Sequence, residues 1–180
     1  METARRECGC RARLTALTRL RSAVAYEGAA ERAIHRFKYQ GWRKLAGPLS
    51  ELVAERLAIE GVAAPLVIAV PLHHNRMRQR GFNQAELLAA ELRKRMHLAG
   101  PKGELVRTRA TPPQVGRDRL RRFENVRGAF AWHGSDLRGQ SILVIDDVAT
   151  TGATLDACAS ALREAGSGPV TGVSIARVNV

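Results

Sequence analysis

Cysteine is scarce: Cys8, Cys10 and Cys158 are the only three in 180 residues. That is too few for a disulfide framework and one short of a four-ligand structural zinc site, so a reducing compartment and no zinc are expected. Aromatic residues make up 4% of the chain, which limits any stacking surface. Long apolar runs are missing as well. The longest uncharged, largely apolar stretch, Val62 to Leu72, is far below the roughly 18 residues of a membrane span. The N-terminal Met1-Glu2-Thr3-Ala4-Arg5-Arg6 leads into Glu7 and an arginine-rich stretch, so no signal peptide is visible. A cytoplasmic chain without membrane insertion is the expectation. Neither Gly-x4-Gly-Lys-Ser/Thr nor Gly-x-Gly-x-x-Gly occurs, which excludes the P-loop and dinucleotide-binding classes.

What is present is a core and a charge. With 45% hydrophobic residues the chain can bury a core of single-domain size. Its net charge of +12 and pI near 11.0 favour phosphates or nucleic acid as partners. The charge is uneven. Residues 1–130 sum to +14 and residues 131–180 to −2, because Asp136, Asp146, Asp147, Asp156 and Glu164 outnumber three Arg there. Arg outnumbers Lys by 25 to 4, which suits bidentate phosphate contacts, although a GC-rich genome produces the same bias.

Hydrophobic spacing predicts a basic amphipathic helix over 11–25, then helices over 28–39 and 42–59. Leu66 to Val70, bounded by prolines, reads as a strand buried on both faces. A loop from Leu72 to Gly81 and a helix over 83–97 follow. Leu105-Val106 is a weak strand. Beyond it lies a long loop to Asn125, with one helical turn near 118–123, of the kind that serves as a lid. Strands follow over 126–132, 141–145 and 170–177, with a helix between the last two ending at Ala165. Strands alternating with helices imply a mostly parallel, doubly wound α/β sheet, whose ligands sit at the carboxyl ends of strands.

One such end is Ile142-Leu143-Val144-Ile145-Asp146-Asp147-Val148-Ala149-Thr150-Thr151-Gly152-Ala153-Thr154-Leu155. The Thr/Gly turn opening a helix offers amides, hydroxyls and a positive dipole to a phosphate. The two aspartates cannot serve an anion. They can accept hydrogen bonds from a vicinal diol or hold a cation through water. Phosphate at one end and diol at the other describe a phosphorylated ribose.

The segment resembles the fingerprint of the type I phosphoribosyltransferases. That resemblance implies that Thr150, Thr151, Gly152, Ala153 and Thr154 hold the 5′-phosphate of phosphoribosyl pyrophosphate, and that Asp146 and Asp147 hold the ribose hydroxyls. Three further segments narrow it: Phe37-Lys38-Tyr39-Gln40-Gly41; Val70-Pro71-Leu72 with Arg80-Gly81-Phe82-Asn83-Gln84-Ala85; and Pro113-Gln114 with Arg122 and Asn125 to Phe130. Together they look like the ComF-type competence proteins over about residues 26–178.

The resemblance implies a type I phosphoribosyltransferase-like fold, an α/β domain over 61–180 behind a helical N-terminal portion over 1–60. Many members begin with a zinc ribbon. Here only Cys8-Gly9-Cys10 remains, so the ribbon is expected to be lacking or truncated. Leu72, His73, Arg76 and Arg80 are the candidates for the pyrophosphate, and Arg107, Arg109, Gln114 and Arg122 for a closing loop.

The implied reaction is glycosyl transfer, with release of pyrophosphate to an unknown acceptor. Mg²⁺ near Asp146 and Asp147 neutralises the leaving group, and the family role lies in DNA uptake with other competence proteins. The alternative is a non-catalytic protein that senses this ligand or a nucleotide and handles single-stranded DNA. Residues 101–130 carry Lys102 and seven Arg against three acids, with Phe123 and Phe130 as candidate stacking rings. The sequence leaves a homo-oligomer open.

Overall fold

The two most apolar stretches of the chain lie side by side. Strands β2 (Leu66–Ala69) and β5 (Ile142–Ala149) pair in parallel, with Leu66 opposite Ile142 and Ala69 opposite Ile145. The computed structural model describes residues 14–109 and 119–178. Its main sheet has the order β1-β6-β5-β2, in which β1 is Arg19–Ala25 and β6 is Val170–Arg177, and every pairing is parallel.

Such a sheet must be covered on both faces, which is why β2 is apolar throughout and every residue of β6 but its last is buried, Thr171 and Ser174 included. Helices α2 (Ala46–Ile59) and α4 (Gln84–Met96) pack together on one face. On the other lies α6 (Ala153–Glu164), beside a separate antiparallel pair of β3 (Gly103–Arg107) and β4 (Phe130–Gly134). Helix α1 (Gly28–Tyr39) and a 3-10 turn at Arg43–Leu45 lead into α2, α3 is His74–Arg80, and α5 is Arg119–Val126. Leu143, Ile145, Leu155, Leu162 and Ile175 are among the fully buried side chains at the centre. Each contributes about 1.5–3 kcal/mol by leaving water.

Four expectations need correction. Residues 19–25 form β1 rather than part of a helix over 11–25, so the N-terminal portion is not wholly helical. The Leu14, Leu17, Leu20 and Val24 spacing imitates a helix, but Leu17 and Leu20 instead lean over Gly172 of β6, and β1 pairs with that strand from Arg19 opposite Thr171. Residues 74–80, expected as loop, form α3. Its arginines leave no apolar period to detect; His73 caps it by accepting the Asn75 amide at 3.3 Å, and Gly81, at φ 72°, ends it in the left-handed region. The strand expected over 126–132 begins only at Phe130, because α5 holds Val126. Finally, β5 runs on to Ala149 instead of stopping at the aspartates, held by β6 with Asp146 opposite Ser174 and Ala149 opposite Arg177.

Candidate ligand-binding site

A cavity of about 270 Å³ opens at the carboxyl ends of β2 and β5. Its wall contains the whole of Asp146 to Leu155, together with Val70, Pro71, Leu72, Arg76 and Arg80 from the end of β2 and from α3. Arg107 at the end of β3, Asn125 and Val126 of α5, and Lys38 of α1 complete it. Asn83 fixes one rim. Its Oδ1 caps α4 by accepting the Ala85 amide at 3.0 Å, while its Nδ2 donates to the Val70 carbonyl at 3.0 Å, tying the helix to the strand end.

Gly152 stands at φ 83° just before α6, and the turn it allows leaves several amides free. The Ala153 amide donates to Thr151 Oγ1 at 3.3 Å. Among the described residues the amides of Thr150, Thr151, Gly152, Thr154 and Leu155 meet no protein acceptor. A helix N-terminus with open amides in a cleft lined by Lys38, Arg76, Arg80 and Arg107 attracts an anion.

The two aspartates do different things. Because β5 keeps its register through them, the pleat sends their side chains to opposite faces of the sheet. Asp147 is buried and forms an ion pair with Lys38, Nζ to Oδ1 2.8 Å. Asp146, half-buried, turns one oxygen back to accept the Asp147 amide at 2.8 Å, where β2 has already ended and no longer flanks β5. Its carboxyl is pushed up to about 7 by burial first and by the charge of Asp147 next, with Lys38, the Asp147 amide and Arg107 opposing. Burial and the neighbouring Arg76 hold the Arg107 guanidinium below its ordinary range, against the pull of Cys158 and Asp146. The buried Cys158 thiol is pushed up by burial and by Asp146, which removes it as a nucleophile near neutrality.

Of the residues predicted for the pyrophosphate, Leu72, Arg76 and Arg80 line the cavity and His73 does not; its ring nitrogen is spent capping α3. Desolvation and the neighbouring His74, Arg107 and Arg76 hold its imidazole below the usual range, which suits an acceptor. Of the predicted loop residues, Arg107 lines the cavity, over the Phe130 ring at 5.4 Å. Arg109 instead donates to the carbonyls of Asn125 and Arg127 at 3.2 and 3.0 Å, pinning one end of the intervening segment to the other. Gln114 lies outside the described residues, as does the side chain of Arg122 on α5. Sequence reasoning assigns no role to Lys38, although the residue belongs to the Phe37–Gly41 segment.

The arrangement defines an α/β protein with a cleft lined by arginines, a lysine and open amides at the carboxyl edge of a parallel sheet. No protein-family model matches the chain. Among curated proteins it is similar to the DNA utilization protein YhgH of Escherichia coli K12, 32% identical over 142 residues that cover 76% of this chain and 62% of that protein. It is similar to competence protein F of Haemophilus influenzae, 33% identical over 140 residues, 74% of this chain and 61% of that one. Competence protein ComFC of Bacillus subtilis is 28% identical over 147 residues, covering 81% and 58%. Two of these relatives carry the names of competence proteins and one that of a DNA utilization protein. The chain spans about 62% of the length of the first of them.

Proposed function

We propose that the cleft binds phosphoribosyl pyrophosphate, and that the chain is a ComF-type protein with a phosphoribosyltransferase-like fold acting in the handling of incoming DNA. The observation that carries this reading is the convergence on one cavity of the Asp146–Leu155 segment with Leu72, Arg76, Arg80 and Arg107, which the sequence scatters over some 80 positions. The open amides of the Thr150–Leu155 turn take the 5′-phosphate, the three arginines take the pyrophosphate, and Asp146 and Asp147, which border the cavity from the two sides of β5, take the sugar hydroxyls.

Magnesium suits this donor set. Asp146 and Asp147 offer carboxylates at the cavity wall and the ligand's phosphates would supply the remaining oxygens, a division natural to Mg²⁺. When bound, the ion neutralises charge on the departing pyrophosphate. The protein's part is to orient the sugar and to hold charge beside it. Transfer breaks the bond from ribose C1 to the pyrophosphate oxygen, which leaves with the electron pair, and forms a bond from C1 to the acceptor, whose proton is lost to solvent or base. The Asp146 and Asp147 carboxylates would stabilise the positive charge that develops on the ring. The names of the relatives, DNA utilization and competence proteins, support the role in DNA uptake.

Calorimetry on the full chain tests the binding step. Heat of binding for phosphoribosyl pyrophosphate that requires Mg²⁺ and is lost in Asp147→Asn is expected; no heat under either condition overturns the reading. A coupled pyrophosphate-release assay with a panel of bases then separates a transferase from a protein that only senses the ligand.

A further inference from the structure

We propose that Tyr39 and Trp42, at the junction of α1, the Arg43–Leu45 turn and the end of α3, form a stacking platform for an unpaired nucleic-acid strand. This surface borders the cleft and shares Arg80 with it, while Tyr39 and Trp42 themselves are outside the cleft's lining.

Tyr39 is 62% exposed and Trp42 49%, in a chain that holds only two Tyr and two Trp. Each ring has a guanidinium against it. Arg80 lies 4.9 Å from the Tyr39 centroid and donates to its hydroxyl at 3.2 Å, and Arg36 lies 5.0 Å from the Trp42 ring. His35 tilts against Tyr39 at 4.9 Å. Arg43, beside Trp42 in sequence, covers the Phe82 ring at 4.7 Å and thereby joins this surface to the start of α4.

The charge around the rings is all of one sign. From 32 to 50 the chain carries Arg32, Arg36, Arg43 and Lys44 beside the Lys38 that Asp147 neutralises, with no acid, and from 61 to 85 it carries Arg76, Arg78 and Arg80 with none. The fold brings these two acid-free segments together through Arg80 on Tyr39, through Arg43 on Phe82 and the Gly81 carbonyl, and through Phe37 packed 6.1 Å from Phe82. Exposed rings interleaved with arginines match a backbone of phosphates with bases splayed from it. Duplex bases are already stacked on one another and leave these rings nothing to stack on, so the committed occupant is a single strand.

The rings first suggested by composition do not serve. Phe130 is buried beneath Arg107, and Phe123 packs against the core.

Anisotropy of a labelled oligothymidylate titrated with the full chain tests this. A Tyr39→Ala/Trp42→Ala double variant is expected to lose about tenfold or more in affinity while its salt dependence stays nearly the same, and Tyr39→Phe/Trp42→Phe to bind nearly as the parent does. Arg36→Ala/Arg43→Ala should lower both affinity and the slope against salt. In a Trp132→Phe background, strand binding should quench the remaining Trp42 fluorescence. Unchanged affinity in the alanine pair, absent quenching, equal affinity for a duplex of the same length, or binding only to anionic phosphatidylglycerol vesicles each overturns the proposal.

Discussion

Lys38 of α1 places its ammonium 2.8 Å from the buried carboxylate of Asp147 on β5, and this single ion pair joins the helix to the acidic end of the sheet. With both side chains largely screened from water, the charges depend on one another. Lys38→Met leaves Asp147 buried without its counter-ion and is expected to lower stability by about 2–4 kcal/mol in urea unfolding. Adding Asp147→Asn should restore most of that loss. If the double variant is as unstable as the sum of the two single ones, the pair is not coupled and Lys38 acts only through packing.

Acid should stabilise the ligand-free protein where it destabilises most others. The Asp146 carboxyl is pushed up to about 7, from an ordinary 3.8, by burial and by Asp147. A carboxyl with the higher pKa in the folded state binds more protons folded than unfolded between those two values. Stability therefore falls as pH rises from about 4 to 7 and is flat, for this group, outside that window. Urea midpoints followed across the window should decline, and Asp146→Asn should remove much of the decline. A parent protein and Asp146→Asn with parallel profiles would show that Asp146 titrates normally.

How much of this was legible in the sequence depends on whether a signal was local. Ile142 to Leu155 could be read almost entirely, since apolar strand, acids, turn and helix cap each depend on immediate neighbours. The two faces of Asp146 and Asp147 could not, because they follow from how far β6 carries β5, which is a pairing across some 28 positions. The same holds for β1. Its Arg19-Leu20-Arg21 alternation favours a strand, but the leucine spacing around it reads as a helix, and only contact with the side-chain-free Gly172 decides between them. Lys38 carried no signal of its own, being one basic residue among 29. Its role exists only once α1 is laid beside β5.

Gly152 is held by conformation and by space together. Its φ of 83° is one that L side chains rarely adopt, and an added Cβ would come within 2.9 Å of Leu20 and 3.2 Å of Leu14. Gly152→Ala should cost at least about 1–2 kcal/mol from the backbone alone and should weaken inorganic phosphate binding by displacing the turn. Leu20→Ala on top of it relieves the contact but not the backbone, so only partial rescue is expected. Complete rescue of melting temperature would mean that the left-handed conformation is not what the turn requires.

The same turn is held from above by Asp156, one helical turn into α6. Its buried carboxylate accepts the amides of Ala16 at 3.0 Å, Leu17 at 2.9 Å and Thr15 at 3.3 Å, strapping the segment before β1 across the start of the helix. Leu14 and Leu20 ride on that strap to reach Gly152, so the chain preceding the sheet is mechanically tied to the turn that opens α6. Asp156→Asn replaces one acceptor oxygen with a donor facing amides that also donate, and should cost about 2 kcal/mol. Hydrogen exchange should then accelerate at residues 15–17 and, through the loosened leucines, at Gly152 and Ala153. Acceleration confined to 15–17 would separate the strap from the turn, and no acceleration at 15–17 would mean that the three amides do not depend on Asp156.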